Sequence, residues 1–544
     1  VELLALVVWP LLVAWPLPRV AGSALLTAPD QEAATHVWGH WAAWKLGAAI
    51  HLNTALMGFP DGVSLQLIDP LGALVAGPLI QLGGPALGYN ALVWVGLVLA
   101  GLSGALLAQR LDLPRLPALV LSTACPTLLA NTADGMTEGF LVALVPLQAL
   151  ALLHARDRGS LRAVALAGLT LGATAWAGPY NAVWALLIDG VLLVHTSIWR
   201  PRGRRPVLGS LALGGLLMAP VAWAIFTARD AGLPGGAARA GLPEIVENPA
   251  IFRGGVRTGA DLLDPLLPGF LTGGQADPSH TAYVGLGVVC LAGLAAWRTP
   301  RLRPWLAGGL AFVALSLGPW LYLGGEVLRA GGAPLAGPAG LLMLAVPPLA
   351  RLSRWYRAGA VASLLLAPLA LETLRGRRPL VVGLATAALV ADLLWLAPMA
   401  WPLHTSAPPA PWPLEGEGAV LELPPATTGQ PPPGAWRDVG ALAQVQHGRP
   451  VGGAFMNLGT SQDARTATAA LREALRAEGL DGGTQAVLRE RGFRWIAVHR
   501  HHFDLPLASE RALRCAGAAV VDRDDALVVD LERAPRGGCA EGSR

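Results

Sequence analysis

The chain has 544 residues, 53% of them hydrophobic and 14% charged, with a mean hydropathy of +0.49 and a net charge of +4. Soluble globular proteins carry about 25% charged residues, so a single aqueous core is excluded and lipid must solvate much of the chain. The small net charge gives no basic footprint for nucleic acid.

The apolar segment from Val1 to Pro18 is followed by no clear small-residue cleavage site and reads as a first anchor. With it, runs near 2–18, 85–108, 115–131, 138–154, 161–177, 180–199, 206–227, 281–297, 304–323, 357–374 and 379–398 predict about eleven membrane-spanning helices. The stretches 70–83 and 336–350 are shorter and rich in Gly and Pro, and read as helices lying in or dipping into the interface. Charge supports this division. Arg110 and Arg115, then Arg156, Arg158 and Arg162, then Arg200 to Arg205, then Arg298, Arg301 and Arg303, then Arg375, Arg377 and Arg378 all fall on one side when eleven spans are drawn. The positive-inside rule makes that side cytoplasmic, with the N-terminus inside and the C-terminus outside. The loops 19–84, 228–280 and 324–356 then face the periplasm. A lone lysine, Lys45, amid abundant Ala, Gly, Pro and Arg suggests a GC-rich bacterial genome, and hence a multi-pass protein of a bacterial inner membrane.

The fold class expected is mainly α, a polytopic helical domain over 1–400 with a small periplasmic α/β domain over 414–544. Between them, 401–413 carries Pro408, Pro409, Pro411 and Pro413 and reads as a stiff linker. Strands are expected at Val420–Leu423, Phe493–Val498, Ala518–Val521 and Ala526–Leu531, with helices over 463–478 and 484–491. Cys125 and Cys290 lie in apolar runs and read as core residues, whereas Cys515 and Cys539 could pair if the tail is in an oxidising compartment.

Candidate chemistry concentrates on the outer side. Asp30 and Glu32 follow the first span and could be site acids or could cap a helix that starts near them. His36 and His40 share a face at i, i+4, a spacing that can bind metal. With Trp38, Trp41 and Trp44 the same segment also reads as an interfacial helix. Asp61 sits in a turn, and Asp69 could cap the short helix after it or point into a cavity, with capping the favoured reading. Asp134 and Glu138 bracket the outer junction of the third and fourth spans. Arg351, Arg354 and Arg357, spaced i, i+3, i+6, break the charge rule and would form a ridge suited to a lipid phosphate, since Arg grips phosphate oxygens in a bidentate fork. His36, Asp134 and Glu138 join these arginines as candidate substrate- or phosphate-binding residues. Asp189 and Asp392 lie deep in apolar runs and read as glue between helices. In the tail, His499, His501 and His502 are a further candidate metal cluster. ATP-binding and dinucleotide signatures are absent, and the pattern requires no cofactor.

The order of these features resembles the GT-C superfamily of membrane glycosyltransferases, and within it the YfhO-like proteins. The resemblance rests on Asp30 and the Trp-rich helix, Phe59-Pro60-Asp61-Gly62, the half-helix from Asp69, and Gly84-Pro85 leading to Tyr89-Asn90. Farther on it rests on Val346-Pro347-Pro348 with Arg351 and Arg354, His447 to Gly453, and Gly492 to His499. It implies transfer of a sugar from a polyprenyl-phosphate donor in the membrane to a periplasmic glycan, lipid or protein, with the family's first-loop acid mapping onto Asp30. Glu32 would assist, and Arg351 and Arg354 would hold the leaving phosphate. The rival readings are a transporter or lipid flippase, kept open by Asp189 and Asp392, and a noncatalytic envelope-assembly protein whose tail binds a partner. Topology is checked by reporter fusions: those after Arg205 and Arg303 should report cytoplasm, and those near Gly273 and after Pro413 should report periplasm.

Overall fold

The computed structural model describes residues 1–48, 50–60, 62–67, 69–195, 201–227, 259–268, 271, 281–347, 349, 352, 354–399, 401–423, 435–452, 482–501 and 507–533, with 353 left out. Asp61, Arg351, His502, Cys539 and the expected helix over 463–478 lie outside the described residues.

Helix α1 (Glu2–Val13) leads into the first loop, which carries α2 (Ala33–Leu46) and an antiparallel hairpin of β1 (His51–Thr54) and β2 (Val63–Gln66). Helix α3 (Pro70–Arg110) is broken at Gly83 and Gly84, and Gly84 has a φ of +85° that a side chain would strain. The break separates the short helix expected over 70–83 from the span that follows. The bundle continues through α4 (Arg115–Thr123), α5 (Pro126–Asp134), α6 (Leu144–Arg158), α7 (Leu161–Trp176), α8 (Pro179–His195) and α9 (Pro201–Thr227). It closes with α10 (Leu286–Arg298), α11 (Arg303–Ser316), α12 (Pro338–Ala345), α13 (Ala358–Ala370) and α14 (Pro379–Ala391).

Among the described residues, six helical segments are long and apolar enough to cross a membrane: Pro70–Arg110, Arg115–Asp134, Thr137–Arg158, Gly203–Ala224, Trp355–Leu374 and Pro379–Leu396. The chain is a membrane protein. The other expected spans are also helical but shorter, 12 residues in α1, 16 in α7, 17 in α8, 13 in α10 and 14 in α11. Spanning takes about 20 residues of uninterrupted helix. Here Gly and Pro divide the apolar runs, as at Gly318-Pro319 inside the expected span 304–323, where α11 ends at Ser316. Hydropathy counts such runs as whole, which is why the expected spans exceed the helices of full length.

Backbones approach closely where side chains are small, as membrane bundles require. A Cβ on Gly96 would lie 2.4 Å from the Phe140 carbonyl oxygen, and one on Gly104 would lie 2.1 Å from Ser122 Oγ. At the centre stands α13, buried on every side along all 13 residues. A helix apolar all round belongs inside other helices. Asp189 and Asp392 act as cross-links within the bundle: Gln148 Nε2 donates to Asp189 Oδ2 at 3.1 Å, and the Tyr283 hydroxyl donates to Asp392. Cys125 is buried, but Cys290 faces outward from α10 and is not a core residue.

The C-terminal unit is a four-stranded sheet of β3 (Ala419–Leu423), β4 (Phe493–His499), β5 (Ala518–Asp522) and β6 (Ala526–Asp530), in the order β3-β4-β6-β5. The β3–β4 pair is parallel and the other two are antiparallel. Helices α15 (Val439–His447), α16 (Gly482–Glu490) and α17 (Leu507–Ala516) accompany it. Cys515 is held in a disulfide.

This unit is bound tightly to the first loop. Trp38 Nε1 donates to Gln444 Oε1 at 2.6 Å, and the Gln444 amide donates to the carbonyls of Leu56 and Arg449. Val451 N donates to Leu56 O at 2.9 Å and Phe59 N to Val451 O at 3.0 Å. The Phe59 and Phe493 rings meet edge to face at 5.5 Å. The proline-rich connection is pinned as well: Leu403 N donates to Trp15 O, Leu25 and Ser406 exchange backbone bonds, and Trp412 stacks on His447 at 5.4 Å. Burial, reinforced by the neighbouring Arg449, pushes the His447 imidazole down to about 3, so it docks neutral.

Candidate active site

The site grows from the start of α2. Its N-cap is Glu32, whose side chain makes no capping bond, and Asp30 lies in the turn before it, exposed. Neither carboxylate caps the helix. Instead Glu32 N donates to Asp134 O at 3.1 Å, which ties the turn to the end of α5. The Glu32 carboxylate reaches Arg354 Nη2 at 3.4 Å and Arg437 Nη1 at 3.6 Å. Burial works against the charge of Arg354, but Tyr356, Glu32 and Asp134 around it hold the guanidinium above its ordinary value. Asp30 makes no hydrogen bond or ion pair among the described residues, and Asp134 is buried.

One helical turn deeper, His36 and His40 face into the bundle. His36 Nε2 lies 3.5 Å from Glu138 Oε2, and its Nδ1 lies 3.0 Å from the Thr137 hydroxyl. His40 Nε2 lies 2.8 Å from Asp69 Oδ2, to which the Thr137 hydroxyl also donates. Asp69 therefore spends its carboxylate on His40 and does not cap α3. Gly72 leaves room for this pair, since a Cβ there would sit 2.6 Å from Asp69 Oδ2. Each histidine has its own carboxylate, and no group of three or more His, Cys, Asp or Glu suited to a metal occurs among the described residues. In the tail, His499 likewise pairs with Glu422 at 3.4 Å, and His501 is exposed.

Of the expected arginine ridge, Arg351 lies outside the described residues, and Arg354 and Arg357 do not share one face. Residue Arg354 has a non-helical backbone, and regular helix begins only after the 3-10 turn Trp355–Arg357. Arg354 and Arg357 consequently point to different partners. Arg357 is 2% exposed and turns into the bundle, where Nη1 donates to Glu138 Oε1 at 2.6 Å and the guanidinium lies 5.2 Å from the Tyr180 ring centroid. Arg354 stays near the mouth, and its backbone N donates to the Tyr180 hydroxyl at 3.1 Å.

Glu32, His36, Asp134, Glu138, Arg354 and Arg357 thus gather at one end of the bundle, with Asp30 at the exposed rim. The sequence reading missed the roles of His40 and Asp69 as a pair, of Thr137 between two histidines, and of Tyr180 and Arg437. Asp69-Pro70 looks like a helix start, which conceals its long-range partner. Arg437 comes from the distant tail, and no local signal marks it.

No protein-family pattern and no curated protein sequence matches the chain. The cryo-EM structure of the arabinofuranosyltransferase AftD from Mycobacteria does match, with a TM-score of 0.51 and 17% identity over 97% of this chain and 40% of that one. The chain has a GT-C fold. It spans 40% of the length of AftD. The oligosaccharyltransferase of Archaeoglobus fulgidus aligns at 13% identity and a TM-score of 0.48, over 92% of this chain and 68% of that one. ArnT from Cupriavidus metallidurans, bound to undecaprenyl phosphate, aligns at 12% identity and a TM-score of 0.41 over 97% of both chains.

Within this GT-C fold the Arg357–Glu138 pair is an ion pair buried on both sides. Removing one partner leaves a buried charge alone, which costs about 3–5 kcal/mol. Arg357→Met and Glu138→Gln should each lower stability on that scale, whereas the double variant should lose less than the sum. Unfolding of the detergent-solubilised proteins measures this, and fully additive losses would show the pair to be uncoupled.

Proposed function

We propose that the chain is a membrane glycosyltransferase that moves a sugar from a polyprenyl-phosphate donor to a periplasmic acceptor, with the site end of the bundle facing the periplasm of a bacterial inner membrane. Within the GT-C fold, the tail motif from His447 to Gly453 favours the YfhO-like proteins. The observation that carries the reading is the charged cluster itself: Asp30 is exposed and has no ion-pair partner among the described residues, two residues from a Glu32 carboxylate that gathers Arg354 and Arg437.

The acceptor hydroxyl oxygen attacks the anomeric carbon, the bond from that carbon to the phosphate oxygen breaks, and the hydroxyl proton passes to Asp30. Charge develops on the departing polyprenyl phosphate, where Arg354 stabilises it. Glu32 serves as the counter-ion that holds the two guanidiniums in place until the phosphate arrives, a role that suits its position better than a second base. Arg357 and Glu138 hold Arg354's backbone and α13 in register below the mouth. The same general activity in the GT-C fold supports this reading. A flippase would need polar groups available along both leaflets, but Asp189 is engaged by Gln148 of α6 and Asp392 by Tyr283, just before α10.

Asp30→Asn keeps size and hydrogen-bonding capacity but cannot take a proton. Transfer from a lipid-linked donor in membranes should fall by roughly 10²–10⁴, with insertion and stability unchanged; full activity would remove Asp30 from the mechanism. Arg354→Ala should weaken binding of polyprenyl phosphate by about 1.5–3 kcal/mol, as for a lost hydrogen bond to a charged group. Arg205→Ala should not, and equal affinities in the two variants would refute the phosphate role.

A further inference from the structure

At the other end of α13 the chain forms a second site with different chemistry. The helix leaves Arg357, runs through the bundle, and emerges in the 3-10 turn Leu371–Leu374, roughly 20 Å away at the usual rise per residue. There an open cavity of about 390 Å³ lies between the end of α10 and the α13–α14 connection. Arg298, Arg375 and Arg377 line it, with Glu372 and Thr299.

The charges in this cavity do not balance. Glu372 Oε1 accepts from Thr299 Oγ1 at 3.0 Å and lies 3.4 Å from Arg375 Nη1, so one carboxylate is engaged by one arginine. Arg298 and Arg377 are exposed and have no anionic partner among the described residues. Two guanidiniums therefore converge on a space large enough for a headgroup, with their donors free. The walls beside the cavity are those of a lipid-facing surface: Trp297, next to Arg298, is 83% exposed, and Leu380, at the start of α14, is 72% exposed. An indole at this depth suits the headgroup layer, and aliphatic side chains below it suit acyl chains.

We propose that this cavity binds the head of an anionic phospholipid, with the phosphate held by Arg298 and Arg377 and the acyl chains lying along α10 and α14. Arginine forks match phosphate oxygens in pairs, and the excess of positive charge selects an acidic headgroup over a zwitterionic one, whose ammonium would meet the same guanidiniums. The bound lipid would join the ends of α10 and α14, which at their opposite ends already touch through Gly287 and Leu389. The site is independent of the transfer reaction proposed above, and its test does not read activity.

The experiment is native mass spectrometry of the full chain in detergent, with phosphatidylglycerol or phosphatidylcholine added. The wild-type chain should retain phosphatidylglycerol in preference to phosphatidylcholine. The variant Arg298→Gln/Arg377→Gln should bind it at least about tenfold more weakly, the loss expected from two charge-assisted contacts. Arg158→Gln/Arg162→Gln removes the same charge from the exposed α6–α7 connection and should leave retention unchanged. Equal weakening in the two double variants, or equal retention of the two lipids, would overturn the proposal. Inorganic phosphate should not displace the lipid; if it does so at millimolar concentration, the site is one for a free anion and the lipid assignment fails.

Discussion

The ion pair between Arg357 and Glu138 is the contact around which the site end of the bundle is arranged. A guanidinium taken out of water in a helical bundle is costly unless an anion and further hydrogen bonds receive it. Arg357 stands at the head of α13, a helix buried along its whole length, and is itself buried away from solvent. Glu138 is the anion, and it comes from the short turn between α5 and α6. The pair therefore fixes the rotation of the central helix and the position of that turn together. Asn181 donates to the Glu138 carbonyl at 3.0 Å and brings α8 into the same arrangement, while His36 brings in α2. Once these are placed, Arg354 has only the mouth to occupy.

The tail completes that mouth. Gln444 is buried and uses its side-chain oxygen for Trp38 of the first loop and its nitrogen for the Leu56 and Arg449 carbonyls. A buried amide that satisfies its donors and acceptor across three segments specifies a single docked arrangement, because any displacement leaves polar groups unpaired. Docking in turn delivers Arg437, whose backbone N donates to Pro29 O at 2.8 Å and whose guanidinium reaches Glu32. The C-terminal unit is thus a wall of the site, and the proline-rich segment before it is laid against the first loop by backbone hydrogen bonds.

Membrane character, the helices and the four strands of the tail were legible from the chain alone, because each depends on neighbours in sequence. Apolar runs, the Gly83-Gly84 break and the short apolar stretch Phe493–Val498 are local signals. Span length was not legible to the same degree, since hydropathy does not register that the run 304–323 stops being helical before Gly318-Pro319. Among site residues, Glu32, Asp134, Glu138 and Arg354 stood out because a charge beside an apolar run is unusual. Their partners did not stand out. Arg354 and Arg357 do not align because i, i+3 spacing puts side chains on one face only where the backbone is helical, and at Arg354 it is not.

The sequence by itself determined which segments are apolar helices of a membrane protein, where the carboxylates lie along the chain, and that the tail has an α/β pattern. Those properties follow from transfer free energies and backbone periodicity, which act over a few residues. Only the tertiary structure decided that Asp69 serves His40 and leaves its helix uncapped, that Arg357 turns inward while Arg354 turns to the mouth, and that Arg437 meets Glu32. Each of those is a choice among several possible charged partners. The choice is made by which helices come within hydrogen-bonding distance, and by the cost of leaving any one of those groups buried without a partner.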